Sequence, residues 1–274
     1  MNEVRYQYLR PAQVVKRRSE CPVAYLPIGT LEWHGVHNPL GSDTLQAEGI
    51  AISCAQKAGG LVLPPLYYGE NRLEALMEAN ARDRDDIARL MDLPVENFNP
   101  ERFPFTVSEQ TTAYQHLLLH MLAEMDTLGF KVGVLVPGHY PLIDHARAAC
   151  LIHNQRCNRI NGMLAWAFVD YLLVRDQYPT SGDHAGIWET SHMMALHPDM
   201  VDLKALGDGD KTPVGVGSSV HPKHSTAEFG TEIMQAAVDI AVKEVMHRLH
   251  NPGCYASHGM SLQEGLWKTE KGTK

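Results

Sequence analysis

The chain has 274 residues, 44% of them hydrophobic and 20% charged, a composition that suits a globular protein able to close a full core. Its 24 Lys and Arg against 32 Asp and Glu leave a net charge of −8, which weighs against a nucleic-acid-binding role and a polybasic membrane anchor. No apolar run approaches the roughly 20 residues that cross a bilayer, and residues 1–6 carry no signal-peptide apolar region, so a cytoplasmic protein is expected. Cys21, Cys54, Cys150, Cys157 and Cys254 are scattered and odd in number, with no Cys-x-x-Cys pair, as in a reduced protein with buried thiols.

In chain order, residues 1–22 read as a polar lead-in with the basic cluster Lys16-Arg17-Arg18. The apolar run 23–28 reads as a buried strand. Residues 44–58 read as a helix, with Ala47, Ile50 and Cys54 on one stripe and Gly59-Gly60 ending it. A second strand at 61–63 stops at Pro64-Pro65, completing a β–α–β unit. The segment 71–100 is rich in Arg, Asp, Glu and Asn, which suggests a solvated helix and loop, or else a lid or oligomer contact. Leu118, Met121, Leu122, Met125 and Leu128 recur at helical spacing before Gly129. Residues 131–136 then read as a central strand ending at Pro137-Gly138-His139. A helix over 143–156, a strand over 163–169, a loop at 183–189 and a helix over 190–196 follow. A Gly-, Pro- and Ser-rich loop spans 207–224, an amphipathic helix covers 226–249, and a polar tail runs from 251 to 274. The alternation describes an α/β chain, and no repeat or linker demands a second domain.

Four polar clusters fall at strand ends or just beyond them: Glu32 with His34, Asp43, the Pro137-Gly138-His139 turn, and the run from Asp183 to Ser191. If the strands are parallel, these ends share one rim, where open α/β sheets bind ligands. On an extended chain Glu32 and His34 point to one face. Glu, His and Asp offer oxygen and nitrogen ligands to a divalent transition metal, and Asp43 is the carboxylate placed to bridge two of them. No thiolate is involved, which suits a catalytic site better than a structural one. His116, His120, His145, His153, His247, His250 and His258 lie on helices or in the tail and read as surface or core histidines. Trp33 and Trp188 are candidate walls for a small planar substrate, with core packing as the alternative.

The blocks around these clusters resemble those of the creatininase (creatinine amidohydrolase) family. Leu26-Pro27-Ile28-Gly29-Thr30 through Glu32-Trp33-His34-Gly35 to Gly41-Ser42-Asp43 is similar to its opening signature. Pro64 to Gly69, Phe103-Pro104-Phe105-Thr106, Val134 to His139, His184-Ala185-Gly186 with Glu189-Thr190-Ser191, and Ser225 to Gly230 follow in family order. The resemblance implies a three-layer α/β/α sandwich with a mostly parallel central sheet, formed by one domain over 1–274 with 71–100 as an insertion. It also implies two divalent metals per subunit (zinc first, manganese or iron otherwise) and a homohexamer.

Carried over by position, Glu32 and His139 bind one metal, His34 the other, and Asp43 bridges. Creatininase itself places a further glutamate two positions after the Gly-His histidine. Here that position is Pro141, so Glu189 is assigned to the second metal. His184 takes the family's proton-donor role. The implied reaction is attack by a metal-bridging hydroxide on a non-peptide carbon–nitrogen bond of a small cyclic amide or formamide. The alternatives are a metallopeptidase or deformylase-like member acting on a modified peptide or cofactor precursor, and a non-catalytic metal-binding subunit. The chain departs from the family pattern at Trp33, Phe105, Tyr140 and Pro141, all near the implied pocket, and Tyr140 joins Trp33 and Trp188 as a candidate substrate contact.

Overall fold

A computed structural model describes residues 3–69, 82–99, 102, 104–157 and 162–255. Four strands form one sheet: β1 (Val23–Ile28), β2 (Leu61–Val62), β3 (Val132–Pro137) and β4 (Leu164–Ala167). Their order is β2-β1-β3-β4 and every pairing is parallel. All six residues of β1 and all six of β3 are buried, as expected of central strands covered on both faces.

Side chains alternate across the sheet with period two. Ala24, Leu26 and Ile28 join Leu61 and Leu135 on one face. There they meet Val14 of α1 (Pro11–Glu20), Leu118, Leu122 and Met125 of α4 (Val107–Thr127), and Ala146 and Ala149 of α5 (Leu142–Cys157). Val23 and Tyr25 join Val62, Val132, Val134 and Val136 on the other face. That face is covered by Ala47, Ile50 and Cys54 of α2 (Ser42–Ala58) and by Val238, Ala241 and Val245 of α8 (Ala227–His250). The result is the α/β/α sandwich that the resemblance implied. Each fully buried Leu, Ile or Val contributes about 1.5–3 kcal/mol relative to exposure, so these two layers fix the sheet before any polar residue is considered.

Connections leave β1 and β3 in opposite directions: α2 carries the chain from β1 to β2 at one edge, and α5 carries it from β3 to β4 at the other. The crevice beyond the carboxyl ends of β1 and β3 is therefore the topological switch point, where doubly wound sheets bind ligands. Ile28 and Pro137 stand opposite each other at that edge. The remaining helices are α3 (Arg84–Leu90), α6 (Asp170–Leu173) and α7 (Ile187–Leu196), with α7 packed along α8 and against α2.

Several sequence-based boundaries change. The lead-in contains a full helix, α1, started by Pro11 in its first turn and by reciprocal bonds between Arg10 and Gln13. Helix α2 begins at Ser42, so Asp43 occupies a first helical turn rather than a loop. Helix α4 reaches back to Val107, where Thr106 and Glu109 form a capping box. Helix α7 begins three residues early, at Ile187. In the charged segment, residues 82–99 do more than lie in solvent: Ile87 and Ala88 are fully buried against Trp33 and Phe98. The expectations for 71–81, for residue 100 and for most of the tail fall outside the described residues.

Candidate metal centre

The site is assembled at the β1/β3 crevice from four short segments. Beyond β1 the chain leaves the sheet and delivers Glu32 and His34. Asp43 follows on the first turn of α2, where the free backbone N–H groups and helix dipole favour a carboxylate. Beyond β3, Gly138 brings His139 alongside: a side chain at Gly138 would lie 1.8 Å from the Asp43 carbonyl oxygen. Only glycine permits that approach. Glu189 comes from the first turn of α7, and His184 from the turn before it.

All six side chains converge. The His34 Nδ1–H donates to the Glu32 backbone carbonyl at 3.2 Å, which turns the Nε2 lone pair toward Asp43 Oδ1 at 3.0 Å and Glu189 Oε2 at 3.4 Å. His139 Nδ1 lies 3.3 Å from both Glu32 Oε2 and Asp43 Oδ2. The ligand-type atoms form three overlapping groups, Glu32/Asp43/His139, His34/Asp43/Glu189 and Glu32/His34/His184, the atoms of each within 4.8 Å of one another. Asp43 belongs to the first two and directs one oxygen into each. His184 stands beside them: Nδ1 is 3.1 Å from Glu32 Oε1, while its Nε2–H donates to the Trp33 carbonyl at 2.9 Å. Its ring is tilted 42° against that of His34, with centroids 4.5 Å apart.

The electrostatics match a cation-binding cluster. Glu32, Asp43 and Glu189 are three carboxylates at 1–3% exposure, a burial that is costly without compensating positive charge. Burial pushes the Glu32 carboxyl up to about 8, against the pull of His139 and with the help of Asp43. Burial also opposes ionisation of Asp43, yet His34 and His139 hold its carboxyl well below the usual range. At His34 burial disfavours a charged ring, but Asp43 and Glu189 outweigh it and raise the imidazole well above its ordinary value. No hydrogen bond among the described residues reaches Glu32 Oε1, Glu32 Oε2 or Asp43 Oδ2, although histidine nitrogens stand 3.1–3.3 Å away. Three buried carboxylates facing histidine nitrogens at these distances give the mixed oxygen and nitrogen donor set that suits divalent cations.

A second ring of contacts holds these groups, and composition gave little sign of it. Asp183 anchors the start of α7: Oδ1 accepts from the Gly186 and Glu189 amides at 3.2 Å each, and Oδ2 from the Trp188 amide at 2.9 Å and Ser218 Oγ at 3.1 Å. An Asp shortly before a helix is a capping signal that could have flagged it. Glu189 Oε2 accepts from the Ala185 amide at 2.7 Å, a bond made possible by the left-handed backbone of Ala185 at φ 53°. The buried His37 Nε2–H donates to the Ala185 carbonyl at 3.1 Å, and Asn38 Nδ2 donates to Thr190 Oγ1 at 2.9 Å.

The three expected substrate contacts have different surroundings. Trp188 is buried among Val174, Ile233 and Ala237 and donates its indole N–H to Asp170 at 2.9 Å. These contacts are those of the core-packing alternative, with the side chain in the cluster between α7 and α8. Trp33 is also buried, packed on Ile87 and Phe98, and its indole donates to the Val214 carbonyl at 2.9 Å. It touches the site through its backbone carbonyl. Tyr140 packs against Tyr171 with ring centroids 4.5 Å apart and planes tilted by 48°, and burial pushes its phenol well above the ordinary range, reinforced by Glu189.

The family model described as creatinine amidohydrolase matches residues 7–245. The chain belongs to the creatininase family. It is a hydrolase of that family. Among characterised relatives it is 27% identical to the creatinine amidohydrolase of Pseudomonas putida over 199 residues, 68% of each chain. It is 25% identical to the 3-dehydro-scyllo-inosose hydrolase of Thermotoga maritima over 206 residues, 72% of this chain and 58% of that one. It is 26% identical to the mycofactocin precursor peptide peptidase of Mycolicibacterium smegmatis over 202 residues, 72% of this chain and 66% of that one. A creatininase crystal structure superimposes with a TM-score of 0.63 at 21% identity, covering 89% of this chain and 97% of the other. A putative creatinine amidohydrolase from Bacteroides fragilis gives 0.63 at 20% identity, covering 90% and 96%. The two structural matches speak to the fold. Among the described residues no helix is long and apolar enough to cross a membrane.

Proposed function

We propose that this creatininase-family chain hydrolyses a non-peptide carbon–nitrogen bond in a small cyclic amide or formamide, using two divalent cations. Glu32 and His139 would hold one cation, His34 and Glu189 the other, with Asp43 shared. Bound there, the cations would lower the pKa of water toward neutrality and polarise a carbonyl. The observation that carries this reading is the division of the two Asp43 carboxylate oxygens between two buried triads. Glu189 supplies the carboxylate that Pro141 cannot.

The residues' own contributions follow from their positions. The Nδ1–H bond to the Glu32 carbonyl fixes the His34 tautomer, so that Nε2 faces the cluster as an acceptor. The Trp33 carbonyl holds His184 with Nε2 protonated and Nδ1 directed inward. Burial and the neighbouring His34 keep the His184 imidazole below its ordinary value, which suits a group that takes a proton and passes it to a leaving nitrogen. Burial of the carboxylates excludes water that would screen these charges.

Zinc and manganese both suit the mixed oxygen and nitrogen donors, as does iron. Related creatininase structures are described as a Zn–Zn type, a manganese form and a creatine complex, which supports the metal and small-molecule parts of the reading. The relatives' names span creatinine, an inosose and a precursor peptide, so the substrate is sought by depletion from a mixture of cyclic amides and formamides rather than taken from one of them. The hexamer belongs to the same reading and is measured by light scattering on the metal-loaded protein.

The test is metal content by elemental analysis on wild type and Asp43→Ala, purified without added metal or chelator. Two metals per subunit, falling to near zero in the variant, support the shared-carboxylate site. Two metals retained in Asp43→Ala overturn it.

A further inference from the structure

The segment Val214–Ser218 carries no charged residue, yet it is hydrogen-bonded to Trp33, Asp83, Asp183 and His184 itself. The Val214 carbonyl accepts the Trp33 indole N–H at 2.9 Å. The Gly215 amide donates to Asp83 Oδ2 at 3.0 Å. Val216 is 2% exposed. Gly217 pairs with His184 in both directions, amide to carbonyl, each at 2.8 Å. Ser218 Oγ donates to Asp183 Oδ2 at 3.1 Å. The loop closes on itself, because the carbonyl of the same Trp33 accepts the His184 Nε2–H at 2.9 Å.

Gly215 is the tight point of this strap. Its φ of +69° lies in the left-handed region, and a Cβ there would lie 2.5 Å from Trp33 Cδ1 and 3.2 Å from Ile87 Cδ1. The backbone is therefore pinched between the indole of Trp33 and Ile87 of α3. Among the described residues Ile87, Ala88 and Phe98 are buried in one cluster with Trp33, against which Val214 packs. The segment 82–98 is thus a buttress whose apolar side chains and one carboxylate bear on the strap, and the strap bears on His184.

We propose that Asp83 and Gly215 are positioning residues for His184: they hold the strap that fixes the backbone of His184 and the Trp33 carbonyl in mutual register, and so select the imidazole tautomer with Nε2 protonated and Nδ1 facing Glu32. This rests on the reading of His184 as the proton-transferring group, but concerns its orientation alone. A hydrogen bond to one ring nitrogen sets which nitrogen keeps the proton. Loss of the strap frees the Trp33 carbonyl to move, and the preference with it.

The test reads the tautomer directly, without a substrate. Zinc-loaded protein labelled with 15N-histidine is measured by long-range 1H–15N correlation, with the His184 signals assigned by their absence in His184→Gln. Wild type is expected to show one tautomer, protonated at Nε2. Asp83→Ala, which removes the acceptor for the Gly215 amide, is expected to raise the other tautomer several-fold while zinc content stays at the wild-type value. Asp83→Asn keeps an acceptor oxygen and is expected to restore the wild-type spectrum. Gly215→Ala should show the larger effect if it folds; Asp83→Ala carries the test if it does not. An unchanged His184 tautomer in Asp83→Ala overturns the proposal, as does parallel loss of zinc, which would mean that the strap supports the whole cluster rather than His184. Failure of the proton-transfer reading is separate: it appears as full turnover in His184→Ala, with the tautomer in the otherwise unaltered protein still fixed.

Discussion

At the scale of single residues, the shared carboxylate makes the six site residues unequal. In the proposed two-cation site Asp43 serves both triads, so its loss is expected to remove both cations, whereas Glu189 serves one. Glu189→Ala is expected to retain about half the wild-type metal, with the residual cation held by Glu32, Asp43 and His139; elemental analysis of the two variants side by side checks the asymmetry. His184 stands apart from both assigned triads and is expected to be dispensable for metal binding. His184→Ala should keep its metals and lose roughly 100- to 10,000-fold in turnover on the substrate found by depletion, the range expected for a general acid or base. Near-wild-type turnover would remove it from the mechanism. Most of this cluster was legible as residue types at strand ends, since Glu32, His34, Asp43 and His139 are bound by the chain's own spacing. Glu189 was reached through the family resemblance. The capping position of Asp183 carries a sequence signal, whereas the contacts of His37 to the Ala185 carbonyl and of Asn38 to Thr190 Oγ1 do not, because those partners, about 150 residues away, come within reach only once the chain has folded.

At the scale of elements, Gly138 ties the turn after β3 to the first turn of α2. A methyl group there would fall 1.8 Å from the Asp43 carbonyl oxygen, and backbone cannot yield as a flexible side chain can. Gly138→Ala is therefore expected to displace Asp43 from His139, lowering zinc affinity at least tenfold in a competition titration even where circular dichroism still shows a folded α/β protein. Unchanged affinity would show that the two turns are not mechanically linked. Most helices and strands were legible from helical spacing or continuous apolar runs, but α1, with Val14 as its one buried residue, reads as a polar lead-in. The start of α2 was missed by two residues and that of α7 by three. In both cases the first turn is built from polar site residues, and a hydrophobic stripe carries no signal there. The burial of Ile87 was hidden for a related reason: one isoleucine among charged residues defines no face until Trp33 is placed opposite it.

For the molecule as a whole, the buried His37 couples stability to pH. Burial lowers its imidazole to about 4, against roughly 6.5 in an unfolded chain. The unfolded state binds the proton first, so the stability contribution is fully present above pH 6.5 and is lost as pH falls from about 6.5 to about 4. The shift corresponds to about 3 kcal/mol at the low end of that window. Urea denaturation of chelated protein should show this slope in wild type and a flatter one in His37→Gln. Equal slopes would mean that His37 is solvated or charged in the folded state.

The close approach at Gly138 also divides the centre mechanically. Asp43 and His139 are locked together over the sheet and move only if β1 and β3 move. Glu189 arrives on α7, which packs chiefly on α8, and is held through Asp183, Ala185 and His37. The centre thus has one jaw built on the sheet and one built on the α7–α8 pair. In the proposed two-cation site, the cation on the second jaw, between His34 and Glu189, should exchange faster than its neighbour, giving two-phase release to a chelator with the fast phase abolished in Glu189→Ala. Such a division lets one half of the site adapt to an incoming substrate while the other keeps its geometry.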